Sequence, residues 1–277
     1  MADLLVSRQS PYIGRCIYCG DRDSKLSNEH AIPYGLNGNW TLLKASCKVC
    51  ADITHRFERD TLKCLYPMIR IGLKLSSRRK KKMLSTLPLE LEYQGQKRIE
   101  QVDLSNYPLF IPSPIFSPPM IISNDYDISN FKIEMALNYA FGPTFDEVAK
   151  KFAPVDFVGS RINFAPEYFA RTLAKIGYCA GVYCFGLDAL RNSELPQIIL
   201  GQNRSVFKYV GGWHEKPVCD QPGLHFIKLR SSNIGIHANI RLFSQFNCPE
   251  YHVFLGQIDS RIKNSFWKAE TIADNYR

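Results

Sequence analysis

Two pairs of cysteines, Cys16-x-x-Cys19 and Cys47-x-x-Cys50, bracket the tripeptide Asn28-Glu29-His30. A two-residue gap lets both sulfurs of a pair reach one ion, and four thiolates in two such pairs match a closed tetrahedral zinc site. Such a site is structural, because no coordination position stays open. Glu29 and His30 offer different chemistry. A neutral imidazole with a pKa of about 6.5 accepts a proton at neutral pH, and a carboxylate suits a hard divalent ion that keeps most of its waters. Base and cation together are what is needed to activate water against a phosphodiester.

These side chains need a scaffold, and the intervening sequence supplies one. Leu26 to Pro33 reads as a short strand, Tyr34 to Asn39 as a turn rich in Gly and Asn, and Trp40 to Leu43 as a second apolar strand. After Cys50 the run Asp52 to Glu58 has no Pro or Gly. Ile53 and Phe57 fall four residues apart, as on one face of a helix. The predicted order is knuckle, hairpin, knuckle, helix.

The stretch from Cys16 to Glu58 resembles the zinc-containing HNH endonucleases, which carry a ββα-metal motif. The resemblance rests on Cys16-Ile17-Tyr18-Cys19-Gly20, Glu29-His30-Ala31-Ile32-Pro33, Leu43-Lys44-Ala45-Ser46-Cys47 and Cys50, and covers about the first quarter of the chain. It implies that His30 is the general base, that Glu29 is a ligand candidate for a catalytic Mg²⁺ or Mn²⁺, and that the four cysteines hold a structural Zn²⁺. Two positions depart from the family pattern. Ala51 stands where many members have a metal-binding Asn or His, so His55 and Asp52 become the replacement candidates; a His55 ligand would also suit Ni²⁺ or Zn²⁺. The family's central Asn has no direct match, and Asn39 is the nearest substitute.

Charge points to the same kind of substrate. The chain carries 35 Lys and Arg against 26 Asp and Glu, a formal net charge of +9. Through Lys82 there are 16 basic and 7 acidic residues, with 19 of each beyond, so the whole excess lies on the segment that holds the motif. A confined basic region fits phosphate-backbone binding. Arg56 and Arg59 on the predicted helix, and the run Arg78-Arg79-Lys80-Lys81-Lys82, are the candidate contacts to DNA. Such contacts position a protein on its substrate without reading sequence.

The expected fold is α+β: a zinc-stabilised ββα module with a basic tail over 1–82, a strand and Pro-rich connector over 83–124, and an α+β domain over 125–277. Five prolines from Tyr107 to Pro119 exclude a regular helix or a central strand there and place the boundary nearby. Phe164 to Leu190 is the strongest helical segment, with Pro166 suited to its first turn. Strand-like runs follow at Gln197 to Leu200, Val206 to Val210, Leu224 to Arg230, Gly235 to Phe243 and Tyr251 to Ile258, and their short connections predict an antiparallel sheet. His225, His237 and His252 sit on separate strands without ligand spacing, and read as packing or hydrogen-bonding residues. No apolar stretch has the length of a membrane span. Nine cysteines and the absence of a basic apolar leader indicate a reducing, cytoplasmic setting, which the resemblance makes bacterial. A homodimer would suit cutting of both DNA strands.

Overall fold

The computed structural model describes residues 8–76, 85–159, 162–212, 223–232, 234–257 and 271–274. The run Arg78 to Lys82 therefore lies outside the described residues. The N-terminal part follows the expected order. β1 (Arg8–Tyr12) leads to β2 (Ser27–His30) and β3 (Trp40–Ser46), and α1 (Lys48–Asp60) begins directly after Cys47. β2 and β3 are antiparallel, with Glu29 opposite Leu42 and His30 opposite Thr41. The ladder slips between Ser27 and Glu29, where the Asn28 side-chain carbonyl accepts from the Lys44 N–H. β1 joins the far side of β3 in parallel, a pairing no local pattern announces.

α1 passes through a π-turn over Thr61–Leu65 into α2 (Pro67–Gly72). β4 (Thr86–Tyr93) and β5 (Gln96–Asp103) form a hairpin whose Gln94 and Gly95 both take positive φ; Leu87, Leu89 and Leu91 are buried, while Tyr93 at the strand end is exposed. The Pro-rich stretch is neither a helix nor a central strand, as its prolines require. It forms β6 (Leu109–Phe116), a full strand, but in a two-stranded ladder with β7 (Ile133–Phe141), so Pro112 and Pro114 interrupt no central position. A short α3 (Met120–Ser123) lies between them, and α4 (Phe145–Lys151) follows, closed at its start by a Thr144/Glu147 capping box. β8 (Phe157–Gly159) then pairs with the free side of β4.

α5 (Pro166–Phe185) is the predicted long helix, with Pro166 in its first turn. Two of the expected strands are helical instead. Gln197 to Leu200 lies in α6 (Leu195–Leu200), where Pro196 fits the first turn and Gly201 ends the helix with a left-handed backbone; Val206 to Tyr209 is α7 (Val206–Tyr209), which runs into β9 (Val210–Gly212). Runs this short and apolar carry no period that separates helix from strand. The remaining strands are β10 (His225–Ser232), β11 (Gly235–Leu242), β12 (Glu250–Gly256) and β13 (Thr271–Asp274). With β9 they make an antiparallel sheet of order β13-β10-β11-β12-β9.

α5 is the centre of the molecule. It packs on β9 to β12 on one side and on α1 on the other, and is buried continuously from Phe169 to Val182 apart from Arg171. One buried apolar cluster consequently includes residues from Cys16 to Leu255. Gly177 and Gly181 permit the close approach, since a Cβ at either position would press on Val253 or Leu255.

Candidate metal centre and the histidine beside it

The four predicted cysteines converge. The ligand atoms of Cys16, Cys19, Cys47 and Cys50 all lie within 4.8 Å of one another, and three of the four residues are buried. In the first knuckle the Cys16 carbonyl accepts from the Gly20 N–H at 2.9 Å, and Gly20 takes the positive φ that this tight turn requires. In the second, Cys47 precedes the first turn of α1 and its carbonyl accepts from Ala51 N–H. Burial pushes the Cys16 thiol up to about 11 and Cys50 further still. Burial acts the same way on Cys47, but the Cys50 N–H and the neighbouring thiols outweigh it and its pKa is lowered. Four thiolates this close repel one another, and a soft divalent cation removes that penalty. The donor set fits Zn²⁺, and this part of the chain is a zinc-binding module of ββα form.

His30 closes β2. Its ring is half-buried and stands edge-on to Tyr34, with centroids 5.7 Å apart. The backbone beneath it is held from an unexpected direction. Lys175, in the middle of α5 and with a side chain only 1% exposed, donates to the carbonyl oxygens of His30 and Ala31. The same ammonium lies 2.9 Å from the Glu29 carboxylate and 2.7 Å from that of Glu58 on α1. Burial works against a charged lysine, but the two carboxylates outweigh it and hold Lys175 protonated far above the ordinary range. One ammonium thus ties together β2, α1 and α5. Glu29, read from sequence as a metal-ligand candidate, spends its carboxylate on this contact.

Lys175 belongs to a stripe. Thr172 bonds Thr61 at 3.0 Å, Tyr178 donates to the Ile17 carbonyl in the first knuckle at 2.9 Å, and the Tyr18 hydroxyl meets Cys179 Sγ at 3.6 Å. Polar residues at 172, 175 and 178 or 179 share one face at helical spacing. That periodicity, inside an otherwise apolar helix, is the signal in the sequence that could have revealed the contact. Glu58 and Lys175 were the residues missed.

The other predicted residues lie around this frame without converging. Asn39 sits just before β3, two residues from Thr41, the cross-strand partner of His30; its Oδ1 is buried with no hydrogen-bond partner. Asp52 pairs with Lys48 at 2.6 Å on the exposed side of α1, and His55 is exposed one turn further on. Arg56 and Arg59, with Asp60, Lys63, Cys64 and Tyr168, line a shallow cavity of about 250 Å³. Among the described residues no second group of three His, Cys, Asp or Glu gathers as the cysteines do. No helix among them is long and apolar enough to cross a membrane.

No protein-family model, no curated protein and no solved structure matches this chain. What is established is the zinc-binding ββα module, set against an α+β body by a buried lysine.

Proposed function

We propose that this chain is a zinc-stabilised, metal-dependent endonuclease of HNH type that hydrolyses phosphodiester bonds in DNA, with His30 as general base. The observation that carries the reading is the placement of His30. It ends the first strand of a ββα unit, half-open to solvent, on a backbone that zinc, hairpin and Lys175 all restrain. A base held this way meets a substrate without first losing conformational freedom.

In the reaction, neutral His30 takes the proton of a water that attacks phosphorus in line with the leaving oxygen. Arg56 and Arg59 on the exposed face of α1, with Lys63 on the π-turn after it, hold flanking phosphates. A divalent ion, Mg²⁺ or Mn²⁺, or Ni²⁺ or Zn²⁺ if His55 is a ligand, would supply neutralisation of the phosphorane and the leaving group. Asn39, Asp52 and His55 are the groups on offer to it, and so few protein ligands suit an ion that keeps most of its waters. Two copies, each cutting one strand, would account for double-strand cleavage.

A second reading is a nucleic-acid-binding zinc protein without hydrolysis. Ala51 and the engagement of Glu29 by Lys175 favour it. Supercoiled-plasmid cleavage with Mg²⁺, Mn²⁺, Ni²⁺ or EDTA, beside His30→Ala, decides between the two. The nuclease reading expects metal-dependent nicking that disappears in His30→Ala while zinc content is unchanged. DNA binding without cutting under every metal would establish the second reading. Cleavage of structured RNA in preference to plasmid would change the substrate and leave the base in place.

A further inference from the structure

The sheet formed by β10, β11 and β12 turns Leu229, Ala238, Val253 and Leu255 toward α5, so the alternate side chains occupy its other face. On that face Asn239 and Arg241 both donate to the Glu250 carboxylate. Beside them lies a different arrangement. Ser232, an exposed residue at the end of β10, has its Oγ 2.6 Å from His237 Nε2, and His237 Nδ1 is 2.8 Å from His252 Nε2. Both imidazoles are buried, at 5% and 4% exposure. Their burial lowers them to about 4 and about 3, so each ring is neutral at pH 7 and carries a single proton.

We propose that Ser232, His237 and His252 form a hydrolytic site of their own, with Ser232 as the nucleophile toward small carboxylic esters, His237 as its base, and His252 as the group that orients His237. The geometry is that of nucleophile, base and orienter, each within hydrogen-bond reach of the next. The site requires the His237 Nδ1 proton in the bond with His252 Nε2, which leaves the His237 Nε2 lone pair facing the serine hydroxyl. The Ser232 proton passes to His237 Nε2 as Oγ bonds to the carbonyl carbon. The tetrahedral centre then expels the alkoxide, which takes that proton and leaves as the alcohol. Water, deprotonated by the same nitrogen, attacks the acyl-serine; the acid leaves, and Oγ regains its proton. The Ile234 N–H donates to Oγ at 3.3 Å and holds the serine side chain at the turn. Arg230 lies across the ladder from His237 and adds an exposed cation beside it. Because neutral His252 stabilises an imidazolium less than a carboxylate does, acylation and deacylation are both expected to be slow.

Treatment of the full-length protein with a fluorophosphonate probe tests this, with the adduct located by intact mass and peptide mapping. One adduct on Ser232 is expected, absent in Ser232→Ala, a substitution at an exposed position that leaves folding and plasmid cleavage unchanged. His237→Gln should slow labelling by about 100-fold or more. Absence of an adduct on Ser232 in the parent, or equal labelling of a folded His237→Gln protein, overturns the proposal. Should His237→Gln fail to fold, the comparison of parent with Ser232→Ala still decides it. None of these outcomes depends on whether the protein cuts DNA.

Discussion

At the scale of single residues, Lys175 has the most consequences. An ammonium taken wholly out of water is tolerated only because two carboxylates and two carbonyls replace its hydration. Removing it strands Glu29 and Glu58 in the interior. Lys175→Met should therefore lower stability by about 3–5 kcal/mol, read as a shift of the urea midpoint. The triple variant Lys175→Met, Glu29→Gln, Glu58→Gln should recover much of that loss, since no unpaired buried charge remains. A Lys175→Met protein as stable as the parent would show that the ammonium is not what joins α5 to the module. At the same scale, His30→Ala should end cleavage without loss of zinc, since its side chain contributes nothing to the cysteine cluster.

At the scale of elements, the hairpin and α1 depend on two fixtures. One is zinc: Cys47 starts α1 and Cys50 lies in its first turn, so losing the metal releases both hairpin and helix. Cys47→Ser, or chelation, should open the segment from Cys16 to Cys50 to limited proteolysis. The other fixture is the connection between β2 and β3. Arg70 donates to the Gly35 carbonyl at 2.8 Å, and Asn37 accepts from Ser76 N–H at 2.7 Å. Gly38 runs so close to Ile32 that a Cβ would lie 2.0 Å from its carbonyl oxygen. Gly38→Ala forces backbone apart and should cost about 1–3 kcal/mol, visible as a lower Tm with zinc still bound. An unchanged Tm would mean that the turn yields freely.

At the scale of the whole molecule, buried histidines join distant parts. His225 accepts the Phe243 N–H on Nδ1, which leaves its Nε2–H to donate to the Leu36 carbonyl at 2.8 Å, in the connection between β2 and β3. Burial lowers His225 to about 4. The unfolded chain, with histidine at about 6.5, takes up this proton more readily than the folded one. Stability should thus be full above pH 6.5, decline as pH falls toward 4, and level off below it. His225 alone contributes a loss on the order of 3 kcal/mol. His237, desolvated, and His252, desolvated and facing His237 and Arg230, act in the same direction. Urea midpoints measured between pH 7.5 and pH 4 check the slope, and His225→Gln should flatten it.

The sequence by itself determined what depends on spacing along the chain. The two knuckles, the hairpin between them, α1, α5 with Pro166 in its first turn, and the strands β10 to β12 all follow from short-range period, turn chemistry and cysteine arithmetic. Those signals fail where a segment is too short to show a period, as at α6 and α7. Tertiary structure alone decided the partners. That Lys175 reaches Glu29, that His225 reaches Leu36, and that His237 meets His252 with Ser232 depends on which helix packs on which strand and in what register. A buried charge or imidazole carries no local mark of its partner. Its energy is set by groups up to 189 residues away along the chain, which only the packed fold brings within hydrogen-bond reach.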